Sequence, residues 1–265
     1  MDTYSRANLE NWNERATVHA ASKFYDIAGF KLGNCTLKEI EQAELERVEG
    51  KSLLHLQCHI GLDSLSWARL GAKVTGVDFS DKAIDLATSL SLETKIEARF
   101  IRSEIYALPA ILTDRFDIVF ASYGVLCWVS DVSRWMKIAA DYVMPGGVFY
   151  LVDDHPFADM FDSDLLFESS YFHSVDPIQC GPEVDYADRE ALLLTPNYQW
   201  KHSLSDVVNA AVQAGLQIEF VHEFPFSAWE RFPGMMKEEN GRYVMANPKM
   251  QIPLLFSIKA GMGSS

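Results

Sequence analysis

The feature that most constrains the fold is the segment Lys51–Ser80, in which a strand, a turn, a helix and a second strand follow one another. This order is typical of a parallel sheet built from crossover units. The second strand ends at Asp78, where a carboxylate is well placed to accept hydrogen bonds from ribose hydroxyls. The alternative for Asp78 is a structural charge beside the N-terminus of the following helix.

The turn of this segment reads Gln57-Cys58-His59-Ile60-Gly61 and holds a single glycine. A dinucleotide site needs G-x-G-x-x-G so that backbone amides can approach the pyrophosphate. The side chains of Gln57 and His59 would crowd a diphosphate, which disfavours an NAD-linked oxidoreductase. S-adenosylmethionine brings an amino acid, a sulfonium and a nucleoside without phosphate, so it does not need that clearance.

The remaining pattern predicts one α/β domain with an insertion. Strands are expected at 52–57, 72–79, 95–102, 116–122, 147–154, 216–224 and 253–260, and helices at 62–70, 81–90, 131–143 and 203–215. We divide the chain into an N-terminal lid (1–48), a core (49–155 and 203–265) and an inserted cap (156–202). Antiparallel strands are expected in the cap around "SYFHSV" and "EALLL".

Composition excludes several classes of protein. The net charge of -14 and the lack of a basic stripe argue against a nucleic-acid partner. The N-terminus lacks the apolar stretch of a signal peptide, and no apolar run is long enough to span a bilayer. The four cysteines form no C-x-x-C pair and the seven histidines are dispersed, so neither a disulfide framework nor a metal site is indicated. We therefore expect a cytoplasmic protein without a metal or a membrane partner.

Six further segments carry a resemblance to the class I S-adenosylmethionine-dependent methyltransferases. The matching segments are "GVDFS", "FIRSEIYALP", "FDIVFASYGVLCWV", "VMPGGVFYLV" and the two closing strands. This resemblance covers roughly Asn11 to Ala260. The whole chain is also similar to a bacterial small-molecule subgroup with LLHLQCH-x-G-x-D as its first motif, opening with WNERA-x-x-HA and closing with HEFPFSAWERFPGM. His55 stands where the family has an acidic residue, and we interpret it as a buried, hydrogen-bonded structural group.

This resemblance implies a Rossmann-like, seven-stranded and mostly parallel sheet that ends in a hairpin with an antiparallel strand. It implies S-adenosyl-L-methionine as the cofactor. The methionine portion is expected to lie along the first turn and to be bound largely through its backbone, by Gln57, Cys58, His59 and Gly61.

The nucleoside positions follow from the same resemblance. Asp78 is expected to hold the ribose, with Phe79 against the adenine ring. Glu104 matches the acidic position that accepts a hydrogen bond from the adenine amino group, and Ile105 offers a backbone amide. Ser122 matches the position whose carbonyl faces the methionine ammonium.

Methyl transfer is an in-line displacement that needs a base only when the nucleophile is protonated. His155 is the predicted base, because it follows the fifth strand at its carboxyl end, while Asp154 beside it should point the other way. A simple turn residue before Pro156 is the alternative reading of His155. His202 and His173 are the other candidates, since the cap could bring either one over the site.

Aromatic residues on the segments that flank this sheet edge are predicted to enclose an apolar acceptor and to attract a sulfonium. Core packing is the alternative for each of them. The predicted acceptor contacts are Trp12, Tyr25, Tyr123, Trp128 and Tyr171, with Phe30, Phe172 and Trp229 nearby.

The predicted function is methyl transfer from S-adenosylmethionine to a small, partly aromatic or apolar metabolite. The segment after the fourth strand reads "SYGVLCW" and lacks N-P-P-[YFW], which also favours a small acceptor over nucleic acid. A non-catalytic S-adenosylmethionine-binding protein is the alternative, because glycines are missing from the turn. The sequence does not choose among oxygen, nitrogen, carbon and sulfur acceptors, and it is compatible with a homo-oligomer.

Overall fold

The computed structural model describes residues 1–263. This range contains seven α-helices: α1 (Thr3–Ala21), α2 (Ile27–Lys31), α3 (Glu39–Leu45), α4 (Leu62–Arg69), α5 (Asp81–Thr94), α6 (Val132–Tyr142) and α7 (Leu204–Gln213). It also contains fourteen strands: β1 (Ser52–Leu56), β2 (Lys73–Asp78), β3 (Ala98–Arg102), β4 (Phe116–Ser122), β5 (Val143–Asp154), β6 (Ile178–Cys180), β7 (Glu183–Val184), β8 (Leu192–Leu193), β9 (Asn197–Gln199), β10 (Leu216–Phe224), β11 (Phe226–Ser227), β12 (Met236–Lys237), β13 (Tyr243–Val244) and β14 (Leu255–Met262).

The main sheet has seven strands in the order β10-β14-β5-β4-β1-β2-β3. The pairs β3-β2, β2-β1, β1-β4 and β4-β5 are parallel, whereas β14 runs antiparallel to both β5 and β10. This topology confirms the predicted Rossmann-like fold with its antiparallel C-terminal hairpin. The carboxyl ends of five parallel strands therefore meet at one edge, which is where ligands bind in such sheets.

The central strands are apolar on both sides because helices cover both faces of the sheet. In β4, Ile118 and Phe120 pack with Trp67 of α4 and with α3, whereas Val119 and Ala121 face α6 and α7. All four of these β4 side chains are fully buried. The unbroken apolar run predicted this burial correctly.

Local capping fixes where the helices begin. Ser80 Oγ accepts a hydrogen bond from the Ala83 backbone N–H at 3.0 Å, and Ser203 begins α7 with a capping box completed by Asp206. The fifth strand differs from its prediction, since β5 begins at Val143 and not at 147. Val143 pairs with Phe116 and Val148 with Ile118, so the intervening Pro-Gly-Gly residues bulge out of the ladder and do not end the strand.

The cap holds the short strands β6 to β9 and packs against α1. Leu192–Leu193 of "EALLL" pairs antiparallel with β7, but the structure assigns no strand to "SYFHSV". Phe172 is exposed there, so the alternation of that segment does not correspond to a buried face. The Asn8 side chain of α1 exchanges two hydrogen bonds, of 2.8 and 2.7 Å, with the Tyr198 backbone. These contacts join α1 to the cap.

The described residues offer neither a membrane-spanning helix nor a metal-binding cluster. No helix between residues 1 and 263 combines the length and apolarity required to cross a membrane. In the same range, no group of three or more His, Cys, Asp or Glu side chains is arranged to hold a metal ion.

Candidate active site

A cavity of about 610 Å³ opens at the carboxyl edge of the main sheet. Its walls come from the turn after β1, from the ends of β2 to β5, from α1 and the loop after it, and from the cap. Among the predicted site residues, those that line the cavity are Trp12, Tyr25, Gln57, Cys58, His59, Gly61, Asp78, Phe79, Glu104, Ile105, Ser122, Tyr123 and Trp128. The structure brings neither His155 nor Tyr171 to this lining.

The turn after β1 has a left-handed backbone at every second residue. The φ angles are +54° at Gln57, +49° at His59 and +77° at Gly61. A left-handed conformation costs a non-glycine residue about 1–2 kcal/mol, and such strain is concentrated at functional sites. A Cβ atom at Gly61 would lie 2.7 Å from the Ala87 Cβ, so this position also needs glycine for packing. The turn therefore keeps a glycine-type backbone although only one glycine remains.

The two side chains that replace glycines make specific contacts. Gln57 Oε1 accepts a hydrogen bond from Trp135 Nε1 of α6 at 2.8 Å. His59 Nε2 lies 2.8 Å from His19 Nδ1 of α1. These bonds connect the turn to the neighbouring helices, and they stabilise the strained backbone at both positions.

Asp78 lies at the end of β2 and is almost fully buried. Its Oδ2 accepts the His59 backbone N–H at 2.8 Å, and its Oδ1 accepts the Ser80 backbone N–H at 2.9 Å. Burial raises the pKa of Asp78 to about 6, and the backbone hydrogen bonds oppose this effect. Each carboxylate oxygen keeps a lone pair for a ligand hydroxyl. Asp78 can therefore bind the Ser80 backbone at the start of α5 and still accept hydrogen bonds from a ribose.

Glu104 follows β3 and lines the same end of the cavity as Phe79 and Ile105. Its Oε1 lies 3.4 Å from the Ser5 hydroxyl of α1, which can donate a hydrogen bond to it. The acidic group predicted for an adenine amino group is therefore covered by α1.

The charge of the lining indicates what the cavity can bind. Six carboxyl groups face it, whereas only two cationic side chains do: the acids are Asp26, Asp63, Asp78, Glu104, Asp154 and Glu183, and the bases are Arg15 and Lys38. A diphosphate is bound through clustered cations and free backbone amides. This set of side chains disfavours a dinucleotide and suits a nucleoside that carries sulfonium and ammonium charges.

His155 is buried outside the cavity. Its Nδ1 accepts the Phe157 backbone N–H at 3.1 Å, its Nε2 lies 2.9 Å from Glu223 Oε1, and its ring packs edge-on against Phe256. The residue that lines the cavity is Asp154, because successive strand side chains point to opposite sides. Asp154 and His155 point to opposite sides of the strand, as predicted, but it is Asp154 and not His155 that faces the cavity.

The other residues expected around the acceptor are engaged elsewhere. His202 Nε2 lies 2.6 Å from the Val129 carbonyl, and His173 Nδ1 lies 2.8 Å from the Lys201 carbonyl. Tyr171 accepts a hydrogen bond from the Leu204 backbone N–H at 3.2 Å. None of the three lines the cavity, so the structure gives them no direct contact with a ligand there.

Asp154 was not singled out from the sequence as a site residue. Its Oδ1 lies 3.1 Å from Arg231 Nη1, and Arg231 also pairs with Asp159. Burial raises the pKa of Asp154, and the nearby Arg231 charge opposes this increase. The guanidinium lies in the loop after β11, too far along the chain for local sequence patterns to connect it with Asp154.

A network of buried polar side chains connects the cap with the turn after β1. Asp185 Oδ2 lies 3.0 Å from both Arg15 Nη1 and His19 Nε2, and His19 Nδ1 contacts His59. With Asp185 as the acceptor, these contacts assign a proton to His19 Nε2 and another to His59 Nε2. His59 Nδ1 is then a lone-pair acceptor, and it is buried without a protein partner. The motif WNERA-x-x-HA had placed Arg15 and His19 one helical turn apart.

Comparison with known proteins connects this cavity to a family. A family model described as "Methyltransferase domain" matches residues 54–151, which include the turn, Asp78, Glu104 and Ser122. The ubiquinone biosynthesis O-methyltransferase of Proteus mirabilis is 30% identical over 154 residues, covering 56% of this chain and 62% of the relative. The chain thus spans less than two thirds of the length of this curated relative.

Solved structures show the same fold at low sequence identity. An S-adenosylmethionine-dependent methyltransferase from Mesorhizobium loti superposes with a TM-score of 0.57 at 20% identity, covering 84% of this chain and 95% of its own. The glycopeptide N-methyltransferase MtfA, complexed with S-adenosylmethionine, gives 0.54 at 15% identity and covers 84% of this chain and 92% of its own.

Proposed function

We propose that the chain is a class I S-adenosylmethionine-dependent methyltransferase that methylates a hydroxyl group of a small, apolar or partly aromatic molecule. The methyltransferase-domain match over residues 54–151 supports the resemblance drawn from the sequence motifs, and that resemblance implies S-adenosylmethionine as the cofactor. The acceptor, the acceptor atom and the roles of individual residues belong to the proposal.

One observation carries this proposal: acidic and aromatic side chains line the same cavity. The acidic residues Asp78 and Glu104 and the aromatic residues Trp12, Tyr25 and Trp128 all belong to its lining. The Trp12 ring lies edge-on to that of Trp128, with centroids 5.2 Å apart. Aromatic faces attract a cation with about 0.5–2 kcal/mol, so these aromatic residues suit both a sulfonium and a flat apolar acceptor.

The names of the relatives support an oxygen acceptor. The ubiquinone biosynthesis O-methyltransferases of Proteus mirabilis and Shewanella pealeana are 30% and 35% identical to this chain over 154 and 101 residues. When bound, S-adenosylmethionine supplies a methyl carbon that is activated by its positive sulfur. The residues of this chain align the acceptor with that carbon, and α1 and the cap exclude water from the transfer.

The structure weakens the case for a non-catalytic binder. That alternative was based on the missing glycines, but Gln57 and His59 keep the left-handed backbone that glycine would adopt. The turn therefore retains the shape of the motif, and it also retains backbone groups facing the cavity.

Binding and turnover together test the proposed function. Calorimetry with S-adenosylmethionine and with NAD identifies the cofactor, and radiolabelled methyl transfer to a panel of phenols, catechols, amines and carboxylates identifies the acceptor class. We expect binding of S-adenosylmethionine alone and transfer to hydroxyl compounds. Binding without transfer to any compound would support the non-catalytic alternative, and binding of NAD would contradict the proposal.

The affinity for S-adenosylmethionine is expected to depend on pH through Asp78. The ionised carboxylate accepts ribose hydroxyls more strongly than the protonated form, and its pKa in the free protein is about 6. Affinity should therefore be constant above pH 7 and fall about tenfold per pH unit below 6. Calorimetry between pH 5 and 8 measures this change. An Asp78→Asn variant should lack it, and an equal slope in that variant would assign the titration to another group.

A further inference from the structure

Glu41 of α3 is a carboxyl group that is completely buried beside the cavity. Its Oε1 accepts the Lys38 backbone N–H, and its Oε2 accepts the Tyr123 hydroxyl at 2.8 Å. Within residues 1–263, no Lys, Arg or His side chain forms an ion pair with it. Burying a carboxyl group without a cation is unfavourable, so such groups are candidates for a functional role.

Its partner Tyr123 lines the cavity directly after β4. Tyr123 has a left-handed backbone with φ +45°, and its N–H donates to the Val152 carbonyl at 2.8 Å. A bulky residue in this conformation is strained. Its ring lies edge-on to that of Trp229, with centroids 5.8 Å apart. The strained backbone thus holds one aromatic hydroxyl between the cavity and the buried carboxyl group.

We propose that Tyr123 and Glu41 form a proton relay that deprotonates the methyl acceptor, an inference that rests on the proposed function. The acceptor O–H gives its proton to the Tyr123 oxygen as the Tyr123 proton passes to the ionised Glu41 carboxylate. The acceptor oxygen forms the new bond to the methyl carbon, and the electrons of the broken carbon–sulfur bond stay on sulfur. Tyr123 contacts the acceptor, whereas Glu41 acts through Tyr123.

The surroundings of Glu41 raise its pKa into the pH range in which a carboxylate can act as a general base. Burial and then the charge of Asp63 raise the pKa of Glu41 to about 8, and the Tyr123 hydrogen bond opposes them. The other titratable groups around it are Tyr150 of β5 and Glu44 of the same helix. About one-tenth of Glu41 is ionised at pH 7, so turnover should rise with pH and level off above about 8.

Other titratable groups at the cavity are less suited to accept this proton. Burial, and then the charges of His19 and Arg15, hold the pKa of His59 well below its usual value, which makes it a weak base. Burial raises the pKa of Asp154 to about 8 as well, but its Oδ1 lies 3.1 Å from Arg231 Nη1, so taking up a proton would weaken that ion pair.

Helix α3, which contains Glu41, also contains Glu44, and the Tyr150–Glu44 pair is a matched control for the Tyr123–Glu41 pair. Tyr150 donates a hydrogen bond from its hydroxyl to Glu44 Oε2 at 2.7 Å, which reproduces the chemistry of the Tyr123–Glu41 contact. Tyr150 is fully buried in the sheet, and neither member of this pair lines the cavity. Loss of the control bond should therefore leave methyl transfer unchanged.

Kinetics of Tyr123→Phe, Glu41→Gln and the double variant test the relay, with Tyr150→Phe and Glu44→Gln as controls. Catechol and 4-nitrocatechol are the acceptors, because the nitro group makes the second compound largely ionised at pH 8. We expect kcat with catechol to fall about 100-fold in each relay variant, and no further in the double variant. With 4-nitrocatechol the loss should be less than about fivefold. Calorimetry should show unchanged affinity for S-adenosylmethionine.

Two readouts separate a relay from a structural role. The rise of kcat toward pH 8 should disappear in Glu41→Gln. The pKa of Asp154 is also raised to about 8, so the infrared band of Glu41 is identified in the difference between the wild-type and Glu41→Gln spectra. Wild-type kcat in the relay variants, or an equal loss with both acceptors, would overturn the relay. So would a difference spectrum without a carboxyl band that titrates near pH 8. A wild-type protein that shows this band but transfers no methyl group would instead overturn the proposed function. Melting temperatures confirm that each variant is folded.

Discussion

Replacing Asp78 by alanine is expected to weaken S-adenosylmethionine binding at least 100-fold. A hydrogen bond to a charged group contributes about 1.5–3 kcal/mol, and this carboxylate is placed to accept two ribose hydroxyls. The substitution also removes the acceptor of the His59 and Ser80 backbone N–H groups, which helps to hold the strained turn. A combined loss of about 3 kcal/mol corresponds to a factor above 100 in the dissociation constant measured by calorimetry.

Asp81→Ala is the matched control for this substitution. Asp81 lies three residues further along, in the first turn of α5, where it accepts a hydrogen bond from Asn13 Nδ2 at 2.7 Å. It does not line the cavity, so its removal should change the affinity less than about threefold. Equal affinities of the wild-type protein and the Asp78→Ala variant would show that the ribose lies elsewhere.

Replacing Asp185 by alanine is expected to lower the free energy of unfolding by about 2–4 kcal/mol, because it leaves the buried Arg15 Nη1 and His19 Nε2 groups without their acceptor, while Arg15 keeps its ion pair with Glu183. The Asp185 and His19 side chains are fully buried and that of Arg15 is nearly so. Asp185 also accepts the Ala187 backbone N–H at 2.8 Å. Urea denaturation measures the loss, provided that the slope with denaturant stays constant.

Asp188→Ala provides the comparison within the same loop. Asp188 is partly exposed and accepts only the Glu190 backbone N–H, at 3.1 Å, so its loss should change stability by less than about 1 kcal/mol. If Asp185→Ala unfolds at the same urea concentration as Asp188→Ala, the buried hydrogen bonds of Asp185 with Arg15 and His19 do not stabilise the fold.

The sheet was predictable because its signals are local. The strand Phe116–Ser122 was located to the residue from an apolar run that is buried on both faces. Ser80 and Ser203 marked helix starts through the chemistry of their own side chains. The strands of the cap have only two or three residues each, too few for a period to emerge, and their positions depend on contacts with α1.

The candidate site was predictable where strand ends define it and not where distant segments meet. Asp78 ends β2 and was predicted from that place, whereas Glu104, which follows β3, was predicted from the family resemblance; both line the cavity. The strand pattern indicated that Asp154 and His155 face opposite ways, but not which of them faces the cavity. Glu41 and Asp185 lie in polar segments typical of a solvated surface, and only tertiary packing buries them. The sequence also did not predict the left-handed backbone at Gln57, because glycine is the residue that usually indicates this conformation.

A crystal structure of the complex with S-adenosylhomocysteine tests the central claim most directly. We expect both ribose hydroxyls within hydrogen-bonding distance of the Asp78 carboxylate, the adenine beside Phe79 and Glu104, and the sulfur facing the aromatic residues of the cavity. Electron density for the nucleoside away from Asp78, or a cavity left empty at saturating ligand, would contradict the account.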